Sequence, residues 1–230
     1  MTEPHLDPDN PAIQFLQGLI ILAEKAVHET LGQERSRGAA IELSARILRI
    51  AEATLPQIAA MHPPAKPLAC RSGCSHCCRL PTVVTDVPTV MRLGFVVASA
   101  LPRETMNKVV SNLQRVTRPC AFLVDDSCQV YADRPVVCRS YNAFDVSSCQ
   151  QGRFLTTGSD EATGLDLGDP WPFGVGGALE EGMAAGLTRL GIDARQVQMV
   201  AALRLLAFDV ETADRWLKGE PAFEAVVAIS

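Results

Sequence analysis

The chain has 230 residues, of which 47% are hydrophobic, 20% charged and only 5% aromatic, with a net charge of −5. That composition supplies a sizeable core and excludes a disordered chain, and no continuous apolar stretch reaches the ~20 residues a membrane helix requires. The acidic balance and the scarcity of stacking rings argue against a nucleic-acid partner, and the lack of such a stretch against a membrane.

At the N-terminus, Met1 to Asn10 is acidic where a secretory signal needs positive charge, and the apolar run from Ile13 to Ala23 is broken by Gln14, Gln17 and Gly18. The expected location is the reducing cytoplasm. Asn10 followed by Pro11 starts a helix carrying Ile13, Leu16, Ile20, Ala23 and Val27 at helical spacing as far as Gly32. A second helix places Leu43, Ile47 and Ile50 on one stripe, with Arg46 and Arg49 away from it and Pro56 limiting its length. These two helices are expected to pair antiparallel. His28 and His62 lie far from any cysteine in sequence and read as surface or partly packed residues.

Asp86 and Pro88 open a third helix with Val90, Leu93, Val96 and Val97 on its apolar side. Pro102 opens a fourth with Met106, Val109 or Val110, Leu113 and Val116. Ala121 to Val124 and Cys128 to Tyr131, joined by Asp125-Asp126-Ser127, form a small β-hairpin. Asp133 is positioned to cap a helical turn beginning at Arg134-Pro135 and presenting Cys138 and Arg139. From Gln150 to Gly177 the chain is rich in Gly, Thr and Asp without periodicity, which predicts a long loop. Helices resume at Ala178 to Leu190 and at Ala194 to Phe208, the latter capped by Asp193 with Phe208 inward, and a last turn from Thr212 to Lys218 ends at Gly219. The fold class is mainly α: one compact helical domain over residues 1–230, with a small hairpin and a cysteine-rich segment at 70–149 flanked by helices at 10–60 and 178–218.

All eight cysteines fall between Cys70 and Cys149: Cys70-x3-Cys74-x2-Cys77-Cys78, then Cys120, Cys128, Cys138 and Cys149. Thiolates are soft ligands suited to zinc, copper(I) or iron-sulfur clusters, and a Cys-x2-Cys turn aims two sulfurs at one ion. Disulfides suit short secreted domains without a core, and cysteines used merely as small hydrophobes would scatter along the chain. Metal binding is therefore the reading of these residues. Adjacent side chains diverge, so Cys77 and Cys78 point to two sites or a polynuclear one, and eight thiolates divide naturally into two tetrahedral sets. His76 is placed to replace one thiolate or to face solvent.

Charge agrees with this reading. Residues 1–69 carry −2, residues 70–153 carry +4 and residues 154–230 carry −7, so the cysteine segment is the basic one. Arg71, Arg79, Arg118, Arg134 and Arg139 each lie within a few residues of a cysteine and are placed to offset thiolate charge and donate N–H to sulfur. A phosphate-gripping patch is the alternative use of clustered arginine.

The ordered set Cys70-x3-Cys74-x2-Cys77-Cys78, Cys120-x-Phe122-Leu123 and Cys128-x-Val130-Tyr131-x2-Arg134-Pro135-x2-Cys138-Arg139-x-Tyr141 resembles the YkgJ-like cysteine-cluster family of zinc- or iron-chelating domains. The resemblance runs from Cys70 to Tyr141 and extends less regularly to Cys149; Ala121 stands where the family usually has proline. It implies that Arg134, Pro135 and Arg139 join the cysteines as motif positions. Some relatives carrying this domain are flagellin lysine methylases, whose cysteines are thought to hold an iron-sulfur cluster, but nothing in this chain matches a separate methyl-donor module.

Two functions fit. The first is a metal-binding protein holding zinc, iron or an iron-sulfur cluster through Cys70, Cys74, Cys77, Cys78, Cys120, Cys128, Cys138 and Cys149, for storage, delivery or electron transfer. The second is an iron-sulfur enzyme with an open coordination site, acting in methyl transfer or redox chemistry. Cys70-x3-Cys74-x2-Cys77 matches the spacing of radical S-adenosylmethionine enzymes, although the strand-helix alternation of their barrel is missing. A cavity lined by Arg134, Arg139 and Tyr141 beneath the 150–177 loop would favour the enzyme, whereas a sealed site would favour the carrier.

Overall fold

The computed structural model describes residues 10–79, 83–115, 120–151, 159–160, 165–166 and 168–227. In chain order they form α1 (Pro11–Glu29), α2 (Arg37–Met61), β1 (Val84–Thr85), α3 (Val87–Ser99), α4 (Arg103–Gln114), β2 (Leu123–Val124), β3 (Ser127–Cys128), α5 (Val136–Ser140) and α6 (Val146–Gln150). There follow β4 (Ser159–Asp160), β5 (Leu165–Asp166), α7 (Pro170–Arg189), β6 (Val197–Gln198), α8 (Met199–Phe208) and α9 (Glu211–Leu217). The fold is mainly α. Its strands pair antiparallel in two-residue ladders, β1 with β6, β2 with β3 and β4 with β5.

Caps set the helix starts. The Asn10 side chain accepts from the Ala12 amide at 2.9 Å, Pro11 supplies the pre-set first turn, and Ser36 accepts from Ala39 N at 3.1 Å to start α2. Asp86 starts α3 by accepting from both the amide and the hydroxyl of Thr89, at 2.7 and 2.8 Å. The stripes then bury as their spacing requires, with Leu43, Ile47, Val90, Leu93, Val97, Val109 and Leu113 inside one core cluster.

Helix α1 packs chiefly along α7 rather than pairing mainly with α2 as the sequence suggests. Two glycines bring the helices together: a Cβ on Gly182 would meet the Ile20 carbonyl oxygen at 2.1 Å, and one on Gly186 would meet Val27 Cβ at 2.7 Å. Helix α2 runs through Pro56 and ends at Met61, in line with the expected helical span over 10–60, and Ile58 beyond the proline is buried. The α2 stripe contacts α3 and α7.

The expected loop from Gln150 to Gly177 ends at Asp169, and the helix expected at Ala178 begins eight residues earlier. Asp169 caps α7 through Trp171 N, and Pro170 occupies its first turn. The glycines that read as loop residues permit close packing instead: a Cβ on Gly176 would lie 2.3 Å from Ser140 Oγ of α5. Residues 152–158, 161–164 and 167 of that expected loop lie outside the described residues. Helix α8 begins at Met199, not Ala194, since Val197 and Gln198 pair with β1. Phe208 is 72% exposed rather than inward. Asp133 does not cap α5; it accepts from buried Arg92 at 2.7 Å.

That Arg92 contact positions the cysteine segment. Arg92, 4% exposed, donates through Nε to Ser44 Oγ at 3.0 Å and through its other guanidinium nitrogens to the Asp133 carboxylate and carbonyl. Ser44 also shares a hydrogen bond with Thr89. One guanidinium thus ties α2, α3 and the approach to α5 in a region where an unpaired charge would be costly.

Candidate metal centre

The cysteines arrive on five short pieces of chain. The Ala69 amide donates to the Ala143 carbonyl at 2.8 Å, which pins Cys70 beside the stretch after α5, and the Cys70 thiol faces the Tyr141 carbonyl at 3.9 Å. Gly73, at φ 85°, turns the chain so that the Cys74 amide reaches the Arg71 carbonyl at 3.1 Å. Cys77 and Cys78 sit on a single 3₁₀ turn, Cys77–Arg79. The Cys120 amide donates to the Cys78 carbonyl at 2.8 Å.

Beyond Cys120 the hairpin forms as expected, but around a shorter turn. Asp125 and Asp126 both adopt positive φ, 51° and 57°, as a two-residue primed turn requires, while Ser127 belongs to β3. Leu123 then stands opposite Cys128. Cys138 lies in α5 and Cys149 in α6, whose start is capped by Asp145 through the Ser147 amide.

Six of these cysteines, Cys74, Cys77, Cys78, Cys120, Cys128 and Cys138, line one cavity of about 40 Å³. Val83, Phe122, Val130 and Met199 form its apolar wall, and Tyr131, Arg134, Pro135 and Tyr141 complete it. Cys70 and Cys149 do not line it, and the charges of Cys70, Cys74 and Cys77 act on the Cys149 thiol. All eight sulfurs are free thiols, with Cys149 buried and Cys70 exposed.

The thiols differ in acidity for identifiable reasons. The Cys78 thiol hydrogen-bonds to both Cys128 and Cys77 and is itself pushed up by those bonds and by burial. Its neighbours move the other way: Cys77 falls to about 6, first through the Cys78 hydrogen bond and then, against burial, through Arg134, and Cys128 falls to about 7 for the same leading reason. Burial drives Cys120 up to about 12 and Cys149 to about 11, and raises Cys70 and Cys138. A metal entering here must displace several protons.

The arginines are not equivalent. Arg134 stacks on Tyr131, its guanidinium carbon 4.2 Å from the ring centroid, and its charge acts on Cys70, Cys77, Cys128 and Cys138. Its Nε is buried without a hydrogen-bond partner. Arg139 is not brought to the cavity; it pairs with Glu52 at 3.0 Å and donates to the Ala132 carbonyl at 2.5 Å. Arg79 pairs with Asp126, Arg71 is exposed and Arg118 lies outside the described residues. Half-buried His76 does not line the cavity, His28 pairs with Glu24 at 3.8 Å, and His62 stacks on Trp171 at 4.2 Å. Val83 and Met199 were missed from sequence: they reach the cavity through the β1–β6 ladder, where the Met199 amide donates to the Val83 carbonyl at 2.9 Å.

Among the described residues no three His, Cys, Asp or Glu side chains already surround a single point as metal ligands would. The donor set nevertheless fits zinc or iron by its chemistry. It consists of soft sulfur donors of the kind that hold a tetrahedral zinc ion at Zn–S of ~2.3 Å.

The fold and site together define a thiol-rich segment framed by helices. Residues 69–158 match the model of the CxxCxxCC family, described as a "putative zinc- or iron-chelating domain". This is the same family that the YkgJ-like motif resemblance indicates. No curated protein and no solved structure matches the chain.

Proposed function

We propose that the chain holds zinc or iron, as bare ions or an iron-sulfur cluster, through the thiolates of its eight cysteines and serves in storage, delivery or electron transfer. The observation that carries this reading is the space between the sulfurs. At about 40 Å³ the cavity is far below the ~300 Å³ at which small-molecule sites begin, so it suits ions and cluster atoms rather than an organic substrate. Arg134 and Tyr141 line it, which supports a role for both beside the bound metal; Arg139 instead pairs with Glu52. Eight free thiols accord with a reducing compartment. The core cluster joins residues from Leu19 to Phe223, which supports reading residues 1–230 as a single domain. Among the described residues no helix is long and apolar enough to cross a membrane.

The test is metal and acid-labile sulfide analysis, with an absorption spectrum, on protein purified without oxygen or chelators. Iron with sulfide and a visible charge-transfer band would establish a cluster. Colourless protein with about two zinc ions per chain would fit two four-cysteine sites. Protein that stays metal-free after anaerobic loading with either metal would overturn the proposal.

A further inference from the structure

We propose that the thiol cavity is a copper(I) site in which the Met199 thioether joins cysteine thiolates as a donor. This rests on the chelating function proposed above and adds the ion that the lining of the cavity itself selects.

Among the described residues around the 40 Å³ space, the side chains able to bind a metal are the cysteines, Met199, Tyr131 and Tyr141, with no imidazole and no carboxylate. Zinc takes thiolate, imidazole or carboxylate, whereas a neutral thioether beside thiolates is a donor set for copper(I). Met199 is built into the wall. It is 1% exposed, it opens α8, and its amide donates to the Val83 carbonyl at 2.9 Å next to the β1–β6 ladder, so two strands fix its backbone. Met61, Met91, Met106 and Met183 do not line the cavity. A space this small puts each side chain of its wall near an ion at its centre.

Charge points the same way. Copper(I) with two thiolates carries −1, which Arg134, the one cation among the described lining residues, cancels. Zinc with four thiolates carries −2 and keeps −1 after the same arginine. The rest of the wall includes Val83, Phe122 and Val130, and the Arg134 Nε is itself buried without a hydrogen-bond partner, so a leftover charge here would be poorly solvated and costly. The enclosure favours a soft, singly charged ion that needs few ligands.

The test loads the full chain anaerobically with copper(I) under ascorbate and titrates it with a colorimetric copper(I) chelator, comparing wild type with Met199→Leu, a near-isosteric change that keeps the wall filled and removes the sulfur. Met199→Leu is expected to weaken copper(I) affinity by at least about 10-fold, the lower end of what even an outer partner of a ligand is worth, and to leave zinc affinity unchanged. X-ray absorption at the copper edge of the selenomethionine-labelled chain is expected to show selenium beside copper, and the labelled Met199→Leu chain to lose it. The wild-type spectrum is informative even where the variant fails to fold. Copper(I) bound without a selenium neighbour, or a Met199→Leu chain whose copper(I) and zinc affinities stay the same or fall alike, would reduce Met199 to packing and overturn the proposal. Zinc or iron retained while copper(I) is released to the chelator would overturn it and leave chelation standing. A chain that holds none of the three would overturn chelation itself.

Discussion

Asn142 and Asp169 exchange a reciprocal pair of hydrogen bonds: the Asn142 carboxamide accepts from the Asp169 amide at 2.7 Å and donates to its carbonyl at 2.8 Å. Both residues are buried, and the contact joins the stretch between Cys138 and Cys149 to the first turn of α7. The cysteine segment is thereby bolted to the main helical layer by a side chain imitating a strand partner.

Replacing Asn142 by Ala strands the Asp169 amide and carbonyl in a dry interior, at a cost of about 1–3 kcal/mol. Chemical denaturation is expected to show that loss. Metal release should also quicken, since the backbone bond that pins Cys70 ends at the adjacent Ala143. Unchanged stability would mean that solvent already reaches the pair.

Gly182→Ala is expected to destabilise by about 1–3 kcal/mol, because the new methyl meets the rigid Ile20 carbonyl oxygen at 2.1 Å and forces α1 and α7 apart. Gly18→Ala should do the opposite. It lies within α1, has nothing within 4 Å of the added carbon, and gains up to about 1 kcal/mol in helix propensity. Thermal melts of the two variants would be expected to shift in opposite directions.

Glu180 gives a pH dependence. Burial, reinforced by the Asp86 charge, raises its carboxyl to about 7, against the opposing hydrogen bond from Gln196. The folded state therefore holds this proton more tightly than the unfolded chain does. Stability should fall as pH rises from about 4.5 to about 7, by up to about 3 kcal/mol from this group, and the lower stability persists above that window. In Glu180→Gln the slope across that window should flatten, as urea midpoints measured at several pH values would reveal. An unchanged slope would falsify the assignment.

Arg134→Gln and Arg139→Gln separate two arginines that the motif presents alike. Loss of Arg134 removes the cation acting on four of the thiols and is expected to weaken metal affinity by about 10–100-fold, read by competition with a chelator. Loss of Arg139 breaks its pairing with Glu52 and should lower stability while changing metal affinity only a few-fold.

What the sequence makes legible is local chemistry. Asn10-Pro11 and Asp86-Pro88 announce α1 and α3, and Asp125-Asp126 announces the hairpin, because each signal lies within four residues of what it controls. The start of α7 is hidden by Gly174, Gly176 and Gly177, which read as loop residues until the packing of Leu16 and Ser140 against Gly174 and Gly176 is known. Asp169-Pro170 was the available signal. In the site, spacing singles out the cysteines, six of which line the cavity. It does not show that Arg134 faces sulfur while Arg139 faces Glu52, nor that Met199 closes the cavity from the far end of the chain, since those are properties of contacts between distant elements.

The 2.8 Å bond between the Cys120 amide and the Cys78 carbonyl closes an excursion of the chain that contains α3 and α4. Closing it carries a loop-entropy cost that the apolar faces of those helices offset by burial. Docking of α3 and α4 is therefore what brings Cys78 and Cys120 together, so a substitution that loosens those two helices acts on the thiol array without touching a sulfur.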